Sequence, residues 1–202
     1  TFPVGLLILG PIGAVLGDVL MNAVGALETV VPWLVPTVIG ATTPFLVFVG
    51  MHRAVGTLET MQIAQMGYSS ILGVGNLPSN IAQGAATIAL SLKSKDEKVK
   101  PLAFSAGVTA LCGITEPALY GFTSRNKKSL IATVIGGGLG GLYAGLTHVV
   151  RFAKGAPGIP TLPVFIDINN SMNLINAIIS AVIGFVVAFV IAMVWIKPEE
   201  VK

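Results

Sequence analysis

One cysteine in 202 residues, Cys112, is too few for an intrachain disulfide or a cysteine metal cluster. It lies in an apolar run and reads as a small buried hydrophobe. Charge is scarce too: Asp, Glu, Lys and Arg make up 10% of the chain, against about a quarter in a soluble domain. With 53% hydrophobic residues and a mean hydropathy of +0.85, that shortage excludes an ordinary soluble domain and points to an integral membrane protein. The net charge of +3 comes from basic residues gathered in short loops between apolar runs. The positive-inside rule accounts for them, and without a basic stripe interleaved with aromatics nucleic-acid binding is not expected. No repeat of fixed period is present, and neither a metal site nor a cofactor is expected. The chain opens at Thr1 in mid-pattern, without a basic segment before an apolar core, and so reads as a piece of a longer membrane protein.

What is present is a series of apolar runs with polar interruptions. From Val4 to about Leu27 the chain is long enough to cross a hydrocarbon core of about 30 Å. There Gly10-Pro11 predicts a kink, Gly13 and Gly17 form a small-xxx-small face, and Asp18 reads as a residue near a helix end or paired within the bundle. Glu28 to Pro36 reads as a turn with an interfacial Trp33. A second span, Val35 to about Gly50, ends in Gly50-Met51-His52-Arg53. Two readings of His52 stand, a membrane-interface anchor or a cavity-facing side chain that hydrogen-bonds a ligand. Gly56 to Gly67 is amphipathic and suits the interface plane.

Ile71 to Leu92 is interrupted by Gly73, Gly75, Asn76, Pro78, Ser79, Asn80, Gln83 and Gly84. This predicts a helix that breaks over Asn76-Leu77-Pro78-Ser79-Asn80 and resumes. Asn80 and Gln83 lie three apart, on one helix face, and as neutral donors and acceptors they suit hydroxyl-rich ligands. The charge run from Lys93 to Lys100 and the basic loop Arg125-Asn126-Lys127-Lys128 both read as cytoplasmic. Leu130 to His148 is a further span, whose Gly136-Gly137-Gly138 and Gly140-Gly141 predict close packing against the segment before it. His148 reads as an interface residue. A loop rich in Gly and Pro runs from Arg151 to Asn170, and Met172 to Ile196, with Trp195 as aromatic anchor, is the most uninterrupted span.

The stretch that stands apart is Gly113-Ile114-Thr115-Glu116-Pro117-Ala118-Leu119-Tyr120-Gly121. An ionisable side chain in hydrocarbon costs at least a few kcal/mol and marks a functional site by default. Pro117 removes a backbone donor, and the glycines loosen the helix around it. Broken backbone at membrane depth is tolerated where it lines a cavity. With a cytoplasmic loop on either side, the segment must enter and return, which predicts a re-entrant hairpin with Thr115 and Glu116 near its tip.

These residues resemble the G-I-T-E-P signature of enzyme IIC, the membrane component of the phosphoenolpyruvate-dependent sugar phosphotransferase system. The resembling branch is the glucose superfamily of glucose, β-glucoside, sucrose and trehalose permeases. Leu9-Gly10-Pro11-Ile12-Gly13, Gly50-Met51-His52 and Asn80-Ile81-Ala82-Gln83-Gly84-Ala85-Ala86 look like further motifs of that family, in order. The resemblance covers residues 1–202 but only the family's second, substrate-binding half. It implies an all-α, polytopic protein of the bacterial plasma (inner) membrane, with transmembrane helices, broken helices and re-entrant hairpins, typically homodimeric. It implies sugar uptake coupled to phosphorylation, the sugar being a β-glucoside or glucosyl disaccharide. The motif glutamate, here Glu116, would bind sugar hydroxyls and is a candidate proton acceptor. His52 would lie across the pocket, with Thr115, Asn80 and Gln83 as further contacts. The phosphoryl donor would be a cysteine of a IIB domain, fed by IIA, HPr and enzyme I. Cys112 lacks that domain's basic surroundings, so this chain is expected to carry no phosphoryl group. Arg53 departs from relatives that often carry a second His or an aromatic there. An ion-coupled secondary transporter, which also uses broken helices and a midplane carboxylate, and a non-transporting permease fragment are the competing readings.

Overall fold

The computed structural model describes Ala26 and residues 30–70 and 72–198. The expected first span, with Leu9 to Gly13, Gly17 and Asp18, lies outside the described residues. Seven α-helices follow: α1 (Leu34–Phe48), α2 (His52–Met66), α3 (Leu72–Lys93), α4 (Val99–Leu111), α5 (Glu116–Gly121), α6 (Lys127–Leu146) and α7 (Met172–Trp195). Among the described residues there is no strand. One isolated antiparallel bridge joins Ser69 to Arg151, each N–H donating to the other's carbonyl at 2.8 Å.

Local chemistry sets the helix ends. Asn126 caps α6, its Oδ1 accepting from the N–H of Lys128 and Ser129 at 3.1 Å. Helix α2 stops at Gly67, whose φ of 80° suits a residue without a Cβ. Helix α4 stops at Gly113, with φ 95°. The Gly113 and Ile114 N–H groups turn back onto the Ala110 and Thr109 carbonyls at 2.9 and 3.1 Å, the hydrogen-bond pattern of a Schellman cap. Glu116 then opens α5, with Pro117 in its first turn, where a missing donor costs little.

The expected break at Asn76 to Asn80 is not found: α3 runs continuously through Pro78. The neighbours accommodate the ring. A methyl group built on Gly140 of α6 would overlap the Pro78 side chain, and one on Gly184 of α7 would meet the Pro78 carbonyl. The glycines of α6 also depart from expectation. They pack against α1, α3 and α7 and not against the segment before them: Gly137 against the Gly40 carbonyl, Gly141 against Pro36, Gly145 against Trp33 and Gly136 against Gly184. Small residues let these backbones approach closely, and the core beside them is largely alanine, with Ala82, Ala85, Ala86, Ala89, Ala132, Ala188 and Ala192 all buried.

Helix α7 is two-faced. Asn173, Ala177, Ser180, Ala181, Gly184, Ala188 and Ala192 point inward, while Ile175, Ile178, Ile179, Val182, Val186, Val190 and Val194 are exposed. Small residues inside and branched aliphatics outside are the pattern of a helix packed on protein and bathed in lipid. By length and composition α6 and α7 are able to cross a membrane; α1 and α4 are shorter apolar helices.

Gly137 faces backbone that no rotamer change moves aside. Gly137→Val is expected to lower stability by about 1–3 kcal/mol, read as a fall in the unfolding midpoint in detergent. Gly121→Ala, into open space, should leave it unchanged or slightly raised.

Candidate functional site

A cleft of about 160 Å³ opens where α1, α2, α3, the turn before α5 and the loop after Val150 meet. That volume is well below the roughly 300–1,000 Å³ of a drug-sized site, so the occupant is small. Four of the five residues singled out in the sequence, His52, Asn80, Thr115 and Glu116, line it together. They are drawn from three places in the chain, positions 52, 80 and 115–116, and the fold makes these neighbours.

Each is placed by its element. Met51 ends the turn after α1 and His52 opens α2; its Nδ1 is buried and has no hydrogen-bond partner. His52 lines the cleft, whereas Arg53 is exposed. Thr115 is buried and Glu116 exposed, both set by the cap at Gly113. Asn80 donates from Nδ2 to the Pro157 carbonyl at 2.8 Å, which ties α3 to the loop. That loop lies directly on the turn, since a methyl group on Gly158 would overlap the backbone of Cys112 and Gly113. Tyr120 donates from its hydroxyl to the Val47 carbonyl at 3.1 Å, and its ring rests on Phe48, 5.8 Å between centroids. This fastens α5 to α1.

Gln83 does not line the cleft. It is fully buried one turn deeper along α3, where Nε2 donates to Thr123 Oγ1 at 3.2 Å. Sharing a helix face with Asn80 did not bring it to the same site, because the segment after α5 closes over it. Cys112 is exposed and not the small buried hydrophobe expected. His148 is exposed with φ 51°, and borders a separate groove of about 750 Å³ with Met66, Tyr68 and Asp167.

The structure adds Thr43, Glu59 and Lys154 to the cleft, together with Asn76, which the sequence placed at a helix break and not among the contacts. Thr43 donates from Oγ1 to Asn76 Oδ1 at 2.6 Å. Glu59 and Arg151 form a buried ion pair, Nε to Oε1 3.2 Å. Arg151 also donates to the carbonyls of Ala153 (2.9 and 2.8 Å) and Gly155 (3.1 Å). Lys154 donates from Nζ to the Gly56 carbonyl and to Thr60 Oγ1, both at 2.8 Å. Burial pushes the Glu59 carboxyl above its ordinary pKa, while Arg151 and then Lys154 pull it back. The signal available in the sequence was Gly73, where any side chain would collide with both Arg151 and Glu59. Read alone, that glycine does not name its partners.

An all-helical bundle with helices able to cross a membrane and a small cleft of carboxylates, amides and a histidine has the make-up of a membrane protein for a small polar solute. The comparisons agree with that class. The family model "Phosphotransferase system, EIIC" matches residues 1–138, and the chain belongs to that family. Its curated relatives include the PTS system beta-glucoside-specific EIIBCA component of Bacillus subtilis (strain 168), 38% identical over 77% of this chain and 26% of the relative. The arbutin-, cellobiose-, and salicin-specific EIIBC component of Escherichia coli (strain K12) is 32% identical over 86% and 36%. The sucrose-specific EIIBC component of Bacillus subtilis (strain 168) is 34% identical over 80% and 35%. The chain thus spans from a quarter to little more than a third of these relatives. No solved structure matches it significantly.

Removing one member of a buried ion pair leaves the other charge uncompensated, a loss of about 3–5 kcal/mol. Arg151→Ala is expected to show it as a large drop in the unfolding midpoint, while Arg53→Ala, at an exposed position, should leave the midpoint within a degree or so.

Proposed function

We propose that this chain is the sugar-binding, C-terminal half of a phosphotransferase-system permease in the bacterial inner membrane, and that the 160 Å³ cleft holds the sugar ring to be phosphorylated. The observation that carries the reading is the convergence of Glu116, Thr115, His52 and Asn80 on one small cleft in a chain of the EIIC family. A polyol is held by hydrogen-bonding side chains, and the lining is rich in them: two threonines, two asparagines, a histidine, two glutamates and a lysine beside Val47 and Pro157. The substrate class is a β-glucoside or glucosyl disaccharide, by analogy with relatives specific for β-glucosides and sucrose.

In this reading the segment from Val99 to Gly121 is a re-entrant hairpin whose tip is the Gly113–Glu116 turn. The permease works as a homodimer in this reading, and its phosphoryl donor is a IIB partner, which the fused EIIBC and EIIBCA relatives support. A IIB phosphocysteine meets the sugar hydroxyl at the cleft. The S–P bond breaks as the O–P bond forms, the thiolate leaves with the electron pair, and the hydroxyl proton passes to Glu116. Phosphoryl transfer depends mainly on positioning and charge stabilisation, so the permease itself need carry no phosphoryl group.

The test is sugar phosphorylation and uptake by the full-length permease in proteoliposomes with phosphorylated IIB. Sugar phosphate should accumulate, and Glu116→Ala should abolish it. As proton acceptor, Glu116 replaced by Gln should slow transfer about 100-fold, beyond any loss of binding. Transfer at the normal rate with binding alone weakened removes the acceptor role. Free sugar driven by an ion gradient overturns the reading.

A further inference from the structure

Helix α2 carries three cleft residues at positions 52, 56 and 59, the i, i+4, i+7 spacing of a single helix face. His52 and Glu59 are its polar members, and each has a buried atom, Nδ1 and Oε1, with no hydrogen-bond partner. Buried polar atoms are nearly always satisfied, and the exceptions call for an explanation. Only 5% of Glu59 is exposed. Its neighbour Arg151 supplies charge at 3.2 Å, but the guanidinium Nε–H is donated to the Ala153 carbonyl at 2.9 Å. The carboxylate thus faces the Arg151 guanidinium, the nearby Lys154 ammonium and the Gly73 backbone N–H, and a carboxylate with about four lone-pair sites keeps acceptor capacity beyond these. Gly73 keeps the space around both partners free of a side chain.

The ion pair borders the cleft through Glu59, and Arg151 Nη1, like Glu59 Oε1, is buried without a hydrogen-bond partner. A carboxylate with cations behind it and lone pairs to spare accepts well from a neutral hydroxyl, since hydrogen bonds to charged groups are the stronger ones. We propose that Glu59 is a second sugar-binding carboxylate of the cleft, taking a hydroxyl that Glu116 does not reach and so setting which sugars fit. The proposal rests on the reading of the cleft as the sugar site. In that role Arg151 is a positioning residue: it holds Glu59 in place and, through the Ala153 and Gly155 carbonyls, the loop that forms the facing wall.

The test is equilibrium binding of methyl β-glucoside, or of sucrose, and of their monodeoxy analogues to the full-length permease in detergent. The variants are Glu59→Asp and, as control, Glu116→Ala. The shorter Glu59→Asp side chain keeps the charge opposite Arg151. It should weaken the parent sugar about 10-fold, while one monodeoxy analogue binds wild type and variant equally, because it lacks the hydroxyl that Glu59 takes. A uniform loss across all analogues, or no loss, means that Glu59 acts only through the fold and overturns the proposal. If Glu59→Asp does not fold, the double variant Glu59→Gln with Arg151→Gln leaves no unpaired charge and is read in the same way. A wild type that binds neither sugar, or Glu116→Ala binding both as wild type does, overturns the sugar-site reading and this proposal with it.

Discussion

The bundle depends on helix backbones meeting with no side chain between them. Gly40 and Gly137 face each other, each blocking any Cβ on the other, and Gly141 and Gly75 both sit against the Pro36 carbonyl. In lipid the hydrophobic effect does little to hold helices together, so association rests on packing and interhelical hydrogen bonds. Ser180 adds one such bond, donating to the Gly140 carbonyl at 2.9 Å. Because this contact is close, α3 is almost wholly enclosed by α1, α4, α6 and α7, and Asn80 Nδ2 and Gln83 Nε2 are each committed to one defined acceptor.

That enclosure is what makes a site. Asn76 and Asn80 emerge from α3 on the side where α1 and the 151–158 loop leave space, whereas Gln83 faces Thr123 and is sealed. The carboxylates come from less constrained parts. Glu116 stands on a six-residue helix behind a left-handed glycine, and Glu59 stands on α2, which is joined to the rest through the Arg151 and Lys154 contacts. The enclosed helix α3 thus supplies the neutral amides, and the elements packed around it supply the charged groups.

The membrane-helical class was legible in the shortage of charge, and the spans over α6 and α7 in uninterrupted apolar length. The Gly113–Gly121 stretch announced itself because a carboxylate and a proline in hydrocarbon have few benign explanations. Other features failed for local reasons. Pro78 reads as a helix breaker in isolation, and only the glycines of two other helices show how its ring is housed in a continuous α3. Gln83 shares a helix face with Asn80, but periodicity carries no information on how far along that face a cleft extends. Arg151 looked like the start of a loop, and its pairing with Glu59, 92 positions earlier (151 − 59), is a tertiary fact without local trace.

The central claim is that sugar occupies the cleft beside Glu116. A structure of the full-length permease solved with a bound β-glucoside tests it most directly. The account predicts a sugar ring between α2, the turn at Gly113 and the 151–158 loop, with hydroxyls within hydrogen-bond reach of Glu116 and His52. A ring seated instead in the larger groove by Met66, His148 and Asp167, with the cleft empty, would contradict it.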